Sequence, residues 1–127
     1  MNSLFYQNMG RLFYAVAIAD KKVREVEIKA LEKHVKNTWI TIENTKNAFG
    51  DNTAFQIEIV FSWLKDGYTT SNECFQNFED YYKHNKSIFT PKIKQIITET
   101  ADEIADSFSG INKQELLILD KLSILFK

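Results

Sequence analysis

Ala15-Val-Ala-Ile-Ala-Asp20-Lys-Lys-Val23-Arg-Glu-Val-Glu27-Ile28-Lys-Ala-Leu31 recurs near the end of the chain as Ala101-Asp-Glu-Ile104-Ala-Asp106-Ser-Phe-Ser-Gly-Ile111-Asn-Lys-Gln-Glu115-Leu116-Leu-Ile-Leu119. Ala15, Ile18, Ala19, Asp20, Glu27 and Leu31 have counterparts at Ala101, Ile104, Ala105, Asp106, Glu115 and Leu119, and the second copy has two extra residues in its turn. Each copy reads as an apolar helix that ends at an Asp, a short turn, and a second helix with a Glu in its first turn. Negative charge is favoured there by the helix dipole. A duplicated helix-turn-helix hairpin points to an all-α fold.

Working outward, Leu4, Phe5, Met9, Leu12, Phe13 and Val16 make residues 3–19 apolar on nearly every side, as expected of a central helix. Gly10 inside it costs about 1 kcal/mol against Ala, which close helix packing would explain. A second helix starts near Glu25 with Ile28, Leu31 and Val35 on one stripe, and residues 38–51 read as a frayed extension plus loop. Thr53-Ala-Phe-Gln56 fits a capping box with Thr53 as N-cap. The helix of residues 54–65 carries Phe55, Ile59 and Trp63 as well as Ile57, Val60 and Phe61, so it is expected to be buried, with Gly67 in a left-handed stop. Thr70 with Glu73 opens a helix whose Phe75, Phe78, Tyr81 and Tyr82 read as core. Thr90-Pro91 opens another, with Ile93, Ile96, Ile97, Ala101 and Ile104 on its inner face. Asn112 with Glu115 caps the last, whose Leu116, Leu119, Leu122, Leu125 and Phe126 must dock in the core or on a partner. The expectation is one domain, residues 1–127, of about six helices and no strand.

Composition supports helices. The 127 residues include 4 Gly and 1 Pro, so obligatory breaks are few, while 44% are hydrophobic and 13% aromatic. A net charge of −1 lacks the basic footprint of a nucleic-acid binder. Cys74 is the single cysteine, which excludes an intrachain disulfide and a thiolate metal cage and reads as a buried structural thiol. His34 and His84 form no ligand spacing. No phosphate loop, nucleophile elbow or EF-hand loop occurs, so an enzyme is not expected. No apolar run reaches the ~20 residues of a membrane span. Residues 1–8 lack signal-peptide features, and the expected address is the cytoplasm.

The pattern at Ala15 to Asp20 and Val23 to Leu31, repeated more faintly at Ile104 to Asp106 and Ile111 to Leu119, resembles the TerB-like family. That family includes tellurite-resistance TerB proteins and the N-terminal domain of a membrane-anchored DnaJ-type co-chaperone. The resemblance implies an internally duplicated all-α bundle without enzymatic activity. It also implies that acids at the turns, here Asp20 and Glu27, Asp106 and Glu115, bind a divalent cation such as calcium. Residues 40–90 share only helical character with the family. The chain departs from the pattern where Lys21 and Ser107 follow the two Asp residues in place of Gly, and where Arg24 and Val26 replace a cap and an acid. Lys21, Lys22 and Arg24 oppose a cation in the first copy by about 1 kcal/mol per solvated pair, so Asp106 and Glu115 form the better candidate.

Beside that stands a structural role for all four acids. An Asp at a helix exit accepts turn N–H bonds, and a Glu at the third helical position completes a capping box. Three functions follow as expectations. The first is a small interaction module, stress- or tellurite-related, with an unidentified protein partner. The second is a weak divalent-cation domain. The third is a homodimer or scaffold subunit that meets its copy through exposed aromatics, Trp39 or Tyr68.

Overall fold

The structure, a computed structural model, describes residues 2–43 and 52–127, and among these it has six helices of ten residues or more and no strand. They are α1 (Ser3–Ala17), α2 (Glu25–His34), α3 (Gln56–Lys65), α4 (Ser71–His84), α5 (Pro91–Asp106) and α6 (Lys113–Leu125). The all-α expectation therefore holds among the described residues.

Helix α1 is the centre. Asn2 caps it by accepting the Phe5 N–H at 3.0 Å, and it packs against α3, α4, α5 and α6. Phe5, Tyr6, Met9, Leu12, Phe13 and Val16 are fully buried, as expected of a helix with no polar face. Gly10 is where α1 meets α3. A methyl group there would lie 2.8 Å from the Ile57 carbonyl oxygen and 3.0 Å from Val60 Cβ. Only a residue without Cβ allows that approach. Gly10→Ala is expected to cost a net 1–2 kcal/mol or so in urea denaturation, because forced separation of two helices outweighs the helix-propensity gain. A stabilised variant would show that the contact relaxes freely.

The second helix runs further than its sequence promises. Its hydrogen bonding continues through a π-helical stretch, Val35–Trp39, and a short α-helical turn, Ile40–Ile42. The frayed extension expected from Thr38 is thus ordered helix as far as Ile42; residues 44–51 of the expected loop lie outside the described residues. Trp39 continues the stripe of Ile28, Leu31 and Val35; its ring is fully buried and its Nε1–H donates to Thr100 Oγ1 at 3.2 Å. This corrects the expectation that Trp39 is exposed and available to a second copy. Helix α2 packs on α5.

Three further local expectations change. Asn52, not Thr53, caps the next segment by accepting the Ala54 N–H at 2.9 Å, and Thr53–Phe55 is a 3-10 turn ahead of α3. Helix α3 is buried on one side only: Ile57, Val60, Phe61 and Leu64 face α1, while Phe55, Ile59 and Trp63 are exposed. Apolar residues on both faces cannot all reach one neighbour, and α1 is the helix that α3 packs on. Gly67 does not take a positive φ; among the described residues the left-handed positions are Lys21 (φ 69°), Ser109 (φ 52°) and Gly110 (φ 85°).

The caps at Thr70, Thr90 and Asn112 form as expected, each side-chain oxygen accepting an N–H three residues on. Phe75, Phe78, Tyr81 and Tyr82 are core, and an aromatic cluster ties them to Phe5, Phe89 and Phe126. Cys74 is fully buried, and burial pushes its thiol up to about 11, too high for a nucleophile at neutral pH.

Candidate functional site

The turn after α1 and the turn after α5 come together. Asp20, the last link of the first repeated motif, uses one oxygen, Oδ2, for two partners. Arg24 Nη1 donates to it at 2.8 Å and Asn112 Nδ2 donates at 2.8 Å. Its other oxygen accepts the Lys22 N–H at 3.2 Å and so closes its own turn. One carboxylate therefore holds the N-cap residue of α2 and the N-cap residue of α6. These bonds hold the Asp20 carboxyl below its usual range against an opposing desolvation by burial, the largest single influence on it. Stability from Asp20 is present above the ordinary carboxylate pKa and is lost in acid.

Arg24 has no acceptor to offer as an N-cap, and its guanidinium serves a different purpose. It lies 4.0 Å from Glu27 Oε1 and 4.2 Å from the centroid of the Phe108 ring. A residue of the first turn is thereby stacked on one of the second. Lys21 and Lys22 are exposed.

Glu27 and Glu115 occupy the same place in their helices. Each accepts the N–H of its cap residue, Arg24 at 2.7 Å and Asn112 at 3.1 Å. Both carboxyl groups are buried, Glu27 completely. Glu27 Oε2 has no donor among the described groups. Beside it is the Glu115 side chain, and a second carboxyl group so near disfavours the charged form of Glu27. Burial first, then this neighbour, pushes the Glu27 carboxyl up to about 7, against the opposing pull of the Arg24 N–H and guanidinium.

Asp106 stands apart. It is exposed, and no hydrogen bond or ion pair holds it among the described residues. Three of the four acids carried over from the resemblance, Asp20, Glu27 and Glu115, are thus brought together across the repeat, and the fourth is not. The sequence reading paired acids within a copy; the structure pairs them between copies. Among the described residues no group of three or more His, Cys, Asp or Glu side chains is arranged to hold a metal ion. The positive charge nearest the acids is Arg24.

A second feature lies on the other side of α6. That helix presses Ile118 and Leu122 into the core and leaves Leu116, Leu117 and Ile124 exposed. Leu117 and Ile124 line a groove of about 860 Å³ between the end of α1, the loop between α3 and α4, and α6. Tyr68, on that loop, is fully exposed. The sequence signalled this surface only as too many leucines on one helix.

Compared with known proteins, the chain matches no family model, and neither a curated protein nor a solved structure matches it.

Proposed function

We propose that this chain is a small, non-enzymatic interaction module of the TerB-like kind, which works by holding a protein partner against the exposed face of α6. The observation that carries the reading is that face: exposed Leu117 and Ile124 line one groove together with the fully exposed Tyr68. Exposed apolar side chains gathered in a concave site mark binding surfaces more than chance does. The junction of Asp20, Arg24, Glu27, Asn112 and Glu115 supports the reading indirectly. Its hydrogen bonds are made within the protein, and they anchor the start of α6. The resemblance supplies the setting, a stress- or tellurite-related assembly inside the cell, and the absence of catalytic motifs agrees with a binding role.

The test places a photo-reactive amino acid at position 68 and, as a control, at the exposed position of Lys92 on α5. In the native cell, position 68 is expected to give a discrete protein adduct and position 92 none. Adding Leu117→Glu should reduce the adduct about tenfold, equivalent to ~1.4 kcal/mol of binding. The same change should leave the melting temperature nearly unchanged, since the leucine is exposed. Equal adducts from both positions, or an adduct indifferent to Leu117→Glu, would remove the basis of the proposal.

A further inference from the structure

Helix α3 keeps an apolar ridge outside the core. Phe55, at the turn that leads into the helix, and Ile59 and Trp63 within it stand at equal four-residue steps, which sets them on one side. Ile57, Val60, Phe61 and Leu64 take the other side and are buried on α1. The two charged residues of α3, Glu58 and Lys65, line the cleft between α3 and α2 and stay out of the row. None of the three ridge residues lines the groove beside α6, so the ridge is a separate surface.

The ridge rises along the helix. Phe55 is 38% exposed, Ile59 56% and Trp63 72%. A row of that shape is a wedge. A level apolar face laid on it would touch Trp63 and leave a gap at Phe55, and a gap forfeits the contacts that would fill it. A second wedge of the same shape, turned end for end, leaves none. The low end of each then meets the high end of the other, and the middle meets the middle. A two-fold axis at Ile59 does this, because the steps on either side of that residue are equal. Phe55 of each copy lies against Trp63 of the other, and Ile59 lies against its own counterpart, the reciprocal pattern of an isologous contact.

Area agrees with a dimer. From those exposures, and about 150–250 Å² for an aromatic side chain, the three residues offer roughly 350 Å² per copy. An ordinary interface takes about 800 Å² from each partner, of which roughly 450 Å² is apolar. The ridge supplies most of that apolar share, which suits an interface at the weak end of the range. We infer that the chain forms an antiparallel two-fold dimer through the Phe55, Ile59 and Trp63 ridge of α3, a contact separate from the groove proposed to hold a protein partner.

Sedimentation velocity of the full chain tests this. It should show a monomer–dimer equilibrium with a dissociation constant on the order of 10–100 μM. Ile59→Glu sets two like charges at the axis and should weaken the dimer about tenfold or more. Its melting temperature should barely move, because position 59 is exposed. Leu117→Glu, on α6, should leave the dimer as it is. Cysteine capture reads the geometry directly. Under mild oxidation Ile59→Cys should give a covalent dimer, since the axis brings the two copies of that position together. Phe55→Cys should not: antiparallel pairing holds its two copies about 12 Å apart, eight residues of helix, and a disulfide spans a Cα separation of ~7 Å at most. The native Cys74 is buried and does not compete. A chain that stays monomeric up to about 1 mM overturns the inference. So does a dimer that survives Ile59→Glu or is dissolved by Leu117→Glu, because its interface then lies elsewhere. Ready capture through position 55 overturns it as well, because the two helices would then run parallel.

Discussion

Trp39→Ala is expected to remove about 3–5 kcal/mol of stability, the cost of emptying a large aromatic site that the backbone around it cannot refill. For a domain whose whole stability is on the order of 5–15 kcal/mol, that is a large share. The melting temperature should fall by roughly 10–20 °C. The indole is fully buried, and the rings of Phe5, Tyr6 and Phe13 each have their centroids 6.2 Å from it. It therefore joins α1 to the end of α2. Its Nε1–H donates to Thr100 Oγ1, which in turn donates to the Ile96 carbonyl at 2.9 Å, so it also joins both to α5. Trp39→Phe keeps most of the ring packing and loses the donor. It should cost less, about 1–2 kcal/mol, because Thr100 retains its bond to Ile96. A Trp39→Ala variant within 1 kcal/mol or so of wild type in urea denaturation would mean that the indole is not in the core.

At pH 8, Glu27→Gln should be more stable than the wild type, by roughly 2–3 kcal/mol, and the difference should vanish near pH 4. The sign follows from the raised carboxyl. In the unfolded chain Glu27 ionises near its ordinary 4.5, while in the folded protein it keeps its proton until about 7. Below 4.5 both states are protonated and the buried pair costs nothing extra. As pH rises from 4.5 through 7 the unfolded state gains by ionising and the fold loses stability. Above 7 the folded protein must bear a buried charge beside Glu115, and the loss is complete. A glutamine never ionises. It keeps an oxygen to accept the Arg24 N–H and offers an amide that can donate to Glu115. The acid-side loss from Asp20 occurs in both proteins and cancels in the comparison. Parallel stability curves for the two proteins from pH 4 to pH 8 would show that Glu27 is already ionised when folded.

Both predictions concern places where reading along the chain stops short. Trp39 lies in a β-branched run, Thr38-Trp39-Ile40-Thr41-Ile42, that has weak helix propensity. The run is helical because the space between α1 and α5 accepts the indole, which is fully buried against Phe5, Tyr6 and Phe13 and bonded to Thr100. Propensity is worth a few tenths of a kcal/mol per residue, whereas burying an aromatic ring is worth several times that. The half-exposed α3 shows the converse. Its apolar residues call for burial on every side, but the helix has α1 to lie on and leaves Phe55, Ile59 and Trp63 outside.

The site was legible in part for the same reason. Asp20, Glu27 and Glu115 can be picked out because spacing along one helix places a Glu at the third position after its cap. Arg24 could be recognised as a positive charge set among those acids. That Glu27 would meet Glu115, or that Asp20 would hold Asn112 across 92 residues of sequence, could not. The turn length within each copy says nothing about which turn faces which. Asp106 looked the better ligand because it has fewer basic neighbours in sequence, yet the acids that meet come from different copies.

By itself the sequence determined the quantities that depend on near neighbours. These were the helical class, the caps at Thr70, Thr90 and Asn112, the central apolar α1, the aromatic core face of α4 and the burial of Cys74. Each rests on contacts within a few residues, or on an apolar periodicity that leaves one way to turn. The tertiary structure decided what depends on how helices are laid together: the space that takes the Trp39 indole, the meeting of Glu27 with Glu115, and the groove left beside α6. Packing brings residues distant in the chain within reach, and the desolvation it imposes can move a carboxyl's proton affinity in a way that no local pattern records.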